Sequence, residues 1–128
     1  MVRKGLFITV ILMLVFSASQ AFAEYNTSEV IKVMRGNVKL MGQLKKAVGE
    51  KDSFAAADAF MELARGSNAI KDYTPKRGSA SDWKATHDAL IKAAFRGIGS
   101  LAADDWDGVN AAFAEIGAAN KRGYGDHK

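Results

Sequence analysis

The sequence predicts an all-α fold, an antiparallel four-helix bundle of up-down-up-down topology preceded by a signal peptide. Three observations carry this expectation. Apolar residues recur every three or four positions in four separate segments, no stretch alternates in the manner of a half-buried strand, and the 128 residues contain one proline. Two short connections and one longer one between four amphipathic segments are the layout of such a bundle. At this length, with 48% hydrophobic and 25% charged residues, the chain makes one small domain and not two.

The leader comes first. Arg3 and Lys4 precede an apolar run from Leu6 to Phe16, followed by Ser17-Ala18-Ser19-Gln20 and the small-residue pattern Ala21-Phe22-Ala23. This is the three-part arrangement of a secretory signal, with cleavage expected after Ala23; the apolar run is short for a membrane span of about 20 residues. Residues 24–128 then form the bundle of a periplasmic protein. The 18 Lys+Arg and 14 Asp+Glu of the whole chain fall to 16 and 14 without Arg3 and Lys4, so the net charge drops from +4 to +2. That balance, with export, argues against nucleic acid as a partner.

The first helical segment opens at Asn26-Thr27-Ser28-Glu29, a polar cap preceding an acid. It places Val30, Met34, Val38, Met41, Leu44 and Val48 on one face before Gly49. The second follows Asp52-Ser53, with Phe54, Ala57, Met61 and Ala64 on its stripe, Phe60 and Leu63 beside it, and an end near Gly66-Ser67; its alanines favour helix. Residues 71–80 break the pattern and hold Pro75, which predicts the long connection. The third segment starts around Ser81-Asp82 and aligns Trp83, His87, Leu90, Ala94, Ile98 and Leu101, with Gly97 and Gly99 weakening its end. The fourth is announced by Asp104-Asp105, whose carboxylates suit a helix N-terminus, and turns Trp106, Val109, Phe113, Ile116 and Asn120 inward, with Tyr124 next in phase.

Chemistry is sparse. The absence of cysteine removes disulfides, thiolate metal sites, cysteine nucleophiles and thioether-linked cofactors. His87 and His127 fall in different segments, without the spacing of a tetrahedral metal site. Met34, Met41 and Met61 lack the pairing of a Cu(I) site, and Asp126-His127 reads as a polar tail. Asp104, Asp105 and Asp107 crowd a helix start, where capping accounts for them. Lys71, Lys76 and Arg77 beside Tyr73 read as a solvated loop. No nucleophile stands beside a base, and no phosphate-binding glycine loop is present, so the chain is not expected to be an enzyme.

The block Asn110-Ala111-Ala112-Phe113-Ala114-Glu115-Ile116-Gly117-Ala118-Ala119-Asn120-Lys121-Arg122-Gly123-Tyr124 resembles the last helix of the cytochrome c-prime family, the class II c-type cytochromes. In that family a similar segment runs into a Cys-x-x-Cys-His motif that anchors and ligates haem. Here the register puts Asn120 and Gly123 at the two cysteines and Tyr124 at the histidine, so all three defining residues are replaced. Glu29-Val30-Ile31-Lys32-Val33-Met34-Arg35-Gly36-Asn37-Val38-Lys39-Leu40-Met41 is similar to the family's first helix. On that alignment Val38 stands where the family shields the distal haem face, and Met34 where many members carry arginine.

The resemblance implies an exported bundle that has lost covalent haem, since a thioether needs a thiol. Two readings stay open. In one, the protein is haem-free and binds a small apolar ligand or a periplasmic protein. In the other, noncovalent haem sits between Tyr124 and Met34 or Met41 in an electron-transfer or gas-binding protein. Pairing of two copies through the first and second helices is also implied by the family. An empty haem-shaped void of several hundred Å³ would cost about 10 kcal/mol at roughly 24 cal/mol per Å³, which rivals the stability of a small domain. The space is therefore expected to be occupied, hydrated or collapsed, with Trp83, Phe113, Met34 and Tyr124 able to fill it.

Overall fold

The computed structural model describes residues 26–75 and 77–126, with the side chains of 124–126 outside the description. Among the described residues the chain forms four α-helices and no strand: α1 (Thr27–Glu50), α2 (Ser53–Ile70), α3 (Ala80–Ala102) and α4 (Trp106–Asp126). Consecutive helices pack along one another, and α1 approaches α4 over a much shorter seam than the other three neighbouring pairs share. The result is the predicted antiparallel bundle. Residues 1–23, expected to be a leader, lie outside the described residues.

Three helix starts carry the cap the sequence pointed to, and α3 is capped by Ser79, two residues before the expected Ser81-Asp82 start. The side chains of Asn26, Asp52, Ser79 and Asp105 accept the backbone N–H three residues on, at 3.0 to 3.1 Å, which satisfies one of the otherwise orphaned donors of the first turn. The two short connections are built alike. Lys51 adopts φ 53° and Asp104 φ 54°; behind them Asp52 N–H bonds Ala47 O and Asp105 N–H bonds Ser100 O, both at 2.8 Å. These are Schellman closures, each followed at once by an aspartate that caps the next helix. The left-handed residue is lysine or aspartate in these turns, so α1 runs through Gly49 to Glu50 and does not stop before that glycine.

The main core lies between these closures and the middle of the bundle, around Leu44, Phe60, Leu63, Leu90, Val109 and Ile116. Phe60 is fully buried because Gly97 of α3 makes room for it: a Cβ at Gly97 would lie 2.5 Å from Phe60 Cζ. The expected weakness of α3 at Gly97 is thus the seat of the largest phenylalanine contact. A second cluster, Val30, Ile70 and Trp83 with Val33, Met34 and Tyr73 against it, closes the other end beneath the long connection.

One expected stripe loses a member and one shifts. In α1, Val30 and Leu44 are buried as expected and Met34, Met41 and Val48 pack against the core, but Asn37 and Ala47 are buried too and Val38 is 77% exposed. In α2 the core side is Ala56, Phe60, Leu63, Ser67 and Ile70. Phe54 is 87% exposed, and the helix passes through Gly66-Ser67 to Ile70. Polar Asn37 and Ser67 are turned inward in both cases, which apolar periodicity alone does not anticipate.

Candidate functional site

The long-connection end of the bundle holds the chain's buried polar chemistry. Each helix supplies one residue there: Asn37 from α1, Ser67 from α2, His87 from α3 and Asn120 from α4. Asn37, Ser67 and His87 are buried, His87 to 2% exposure, and Asn120 is half-buried. Asn37 Nδ2 donates to Asn120 Oδ1 at 3.3 Å, tying α1 to α4. His87 Nδ1 shares a hydrogen bond with Ser67 Oγ at 3.1 Å, tying α3 to α2. Paired this way, polar groups that would cost about 1–3 kcal/mol each if left unsatisfied are accommodated in the interior.

Trp83 roofs this layer. Its indole N–H donates to Ile70 O at 2.7 Å, a carbonyl at the end of α2 that also accepts the Tyr73 N–H at 3.2 Å, and its ring meets His87 edge-on with centroids 4.4 Å apart. The connection is then stapled back to α1: Tyr73 O–H donates to Glu29 Oε2 at 2.5 Å. That hydrogen bond to Glu29, helped by burial and by the glutamate's charge, raises the Tyr73 pKa above the ordinary 10.0. Lys71 pairs with Asp88 of α3 at 3.6 Å. Tyr73 and Lys71, read from sequence as part of a solvated basic loop, therefore hold this end shut, and Pro75 is buried with them. Lys76 lies outside the described residues.

The residues assigned to a former haem site separate. Met34 is half-buried against the Val30, Ile70 and Trp83 cluster, and Met41 is half-buried against the main core with Cε 3.8 Å from the Cβ position of Gly117. Gly123 is buried, its Cβ position 3.3 Å from Thr86 Cγ2. Asn120 bonds Asn37 as above. Val38 is a correction: it points outward, and Asn37, one residue earlier, takes the inward place. The side chain of Tyr124 lies outside the described residues, as does His127.

Trp83 was expected to fill the interior. His87 and Asn37 were not singled out as site residues; His87 had been placed on the inward stripe of its helix, and its partner Ser67 had been read as a helix end. No thiol exists to anchor a haem covalently, Val38, aligned with the distal shield, is exposed, and Trp83, Ile70 and His87 are buried at this end of the interior.

Access from outside comes through a groove of about 540 Å³ between α1 and α2, lined among others by Lys32, Val33, Gly36, Asn37, Glu62 and Gly66. Gly36 has no neighbour within 4 Å of its Cβ position, so the groove is open at that point, and Asn37 forms part of its floor. Such a cleft can hold a small molecule by polar contact with Lys32 and Glu62 and apolar contact with Val33 and Leu40. Among the described residues no group of three or more His, Asp or Glu is placed to hold a metal ion. No helix there is long and apolar enough to cross a membrane. Comparison with protein-family models, curated proteins and solved structures gives no match.

Proposed function

We propose that this is an exported, haem-free relative of the cytochrome c-prime bundles, acting as a binding module for a small ligand or a periplasmic protein and not as an enzyme. One observation carries the reading: the interior at the end where the resemblance places the porphyrin is filled by Trp83, Ile70 and His87, with the Asn37–Asn120 pair beside them. Haem needs several hundred Å³ of apolar space and an axial ligand facing it; opening that space means breaking the Trp83 and His87 hydrogen bonds. The groove between α1 and α2 supports a small ligand with a polar group that meets Lys32 or Glu62 and a short apolar part against Val33 and Leu40.

The test is spectroscopic. Residues 24–128 produced with haem supplied, then passed through gel filtration, are expected to be colourless and fully helical by circular dichroism. A Soret band that travels with the protein and vanishes in Tyr124→Phe would overturn the haem-free reading in favour of noncovalent haem.

A further inference from the structure

The face formed by α1 and α4 combines exposed apolar side chains with a surplus of basic ones over the exposed Glu50 and Asp107 near its far end. Along α1, Ile31 and Val38 are 40% and 77% exposed, and Met34 and Met41, on the same side of the helix at three- and four-residue spacing, are half-exposed. Arg35, Lys39 and Lys45 are exposed on this side of α1. The Asn37–Asn120 hydrogen bond and the Met41 contact at Gly117 fix which part of α4 lies alongside, and that part adds exposed Lys121. The acidic side chains near the middle of the bundle point elsewhere: Glu29 is held by Tyr73 on the α2 side, Glu62 pairs with Arg65, and Glu115 pairs with Arg96 across the α3–α4 seam. The seam itself is the least packed of the four, with Met34 and Met41 half-buried along it.

We infer that this α1–α4 face is a docking surface for an anionic phospholipid bilayer, Val38 and Ile31 entering the headgroup boundary while Arg35, Lys39, Lys45 and Lys121 meet the lipid phosphates. The charge decides the occupant. A second copy laid on the same face would set basic residues against basic residues, whereas an anionic bilayer complements them and accepts the apolar stripe without a shaped pocket. An apolar stripe flanked by basic side chains is the pattern of helices that lie in a membrane interface. The other exposed apolar residues, Phe54 and Phe95, differ: acids and bases mix around them, with Asp58 and Arg65 on α2 and Lys92 and Asp88 on α3. The inference rests on this outer face and is independent of what fills the interior.

The experiment is co-flotation of residues 24–128, which contain all four helices, with phosphatidylcholine vesicles lacking or containing phosphatidylglycerol. Binding is expected only with phosphatidylglycerol, and to weaken as salt is raised. Val38→Asp is expected to lose about tenfold or more in affinity, and Arg35→Glu with Lys39→Glu about tenfold. Phe54→Asp, at a more exposed apolar site on a different side, is the control and is expected to bind as the parent does. Unchanged thermal melting of each variant shows that folding is intact. No binding to phosphatidylglycerol vesicles overturns the inference, as does equal loss in Val38→Asp and Phe54→Asp. Retention on a polyglutamate matrix without vesicle binding also overturns it and assigns the face to an acidic protein.

Discussion

The two ends of the bundle solve the same problem differently. At one end, α1 turns into α2 and α3 into α4 through matched closures, Lys51-Asp52 and Asp104-Asp105, over a core of Leu44, Phe60, Leu63 and Val109. At the other, α2 reaches α3 through residues 71–79, and the interior contains Asn37, Ser67, His87 and Asn120 under Trp83. The first end is held by shape and burial, the second by directed hydrogen bonds. Buried polar groups specify one arrangement because each needs its partner. The end that carries them is therefore fixed by partner choice, and the apolar end by packing.

The sharpest way to break this contrast lies in the apolar half. Phe60→Ala is expected to cost about 3–5 kcal/mol, and Gly97→Ala about 1–3 kcal/mol, because the new methyl meets the Phe60 ring. In the double variant the methyl enters space that the ring has vacated, so the two losses do not add. Chemical denaturation of the four proteins measures this. Strict additivity would mean that the ring and the glycine do not share space.

At the polar end the expected signature is different. Asn37→Leu alone leaves Asn120 facing an apolar side chain and is expected to cost about 1–3 kcal/mol. Asn37→Leu combined with Asn120→Leu is expected to recover most of that loss, since both members of the pair are then apolar. A denaturant cycle in which the double variant is worse than the sum of the singles would contradict the pairing.

Smaller effects distinguish the closures. Lys51→Gly removes the cost of a side chain in the left-handed region and is expected to stabilise by about 0.5–1 kcal/mol. Asp104→Gly gains less, because the Asp104 carboxylate accepts the Trp106 indole N–H at 2.9 Å and that bond is lost. Paired thermal melts read the difference.

The smallest effect concerns pH. Tyr73 holds its proton more tightly in the folded state because Glu29 accepts it. The contribution of this hydrogen bond is therefore complete below the ordinary phenol pKa of 10.0 and is lost as pH rises through the higher folded-state value. Ultraviolet titration should show one phenol ionising late, and Glu29→Gln should bring it back towards 10.0. A late phenol unaffected by Glu29→Gln would place the cause elsewhere.

Much of the architecture was legible in the residues themselves. Asn26, Asp52 and Asp105 were readable as caps, the single proline marked the long connection, and the α3 stripe from Trp83 to Leu101 is buried much as its spacing implied. What failed was detail of phase. In α1, six well-spaced apolar residues suggested that Val38 faced inward; Val30 and Leu44 do, but Asn37 takes the place between them, and an asparagine in the middle of a stripe is invisible to apolar counting. Gly97 read as a weakness because a glycine's value depends on the ring across from it, which only the packed helices supply. The Ser67–His87 pair joins residues in two helices, and no local pattern announces it. Phe54, an obvious core candidate by type, is outside because the α2 core follows Ala56, Phe60 and Leu63.

The account stands on the interior beneath the long connection being filled by protein side chains. Proton exchange of the Trp83 indole N–H, followed by nuclear magnetic resonance with and without equimolar haem, tests that most directly. The expected result is a slowly exchanging signal, protected by its bond to Ile70 O and unchanged by haem. Rapid exchange in the free protein, or a signal that shifts or disappears when haem is added, would contradict it.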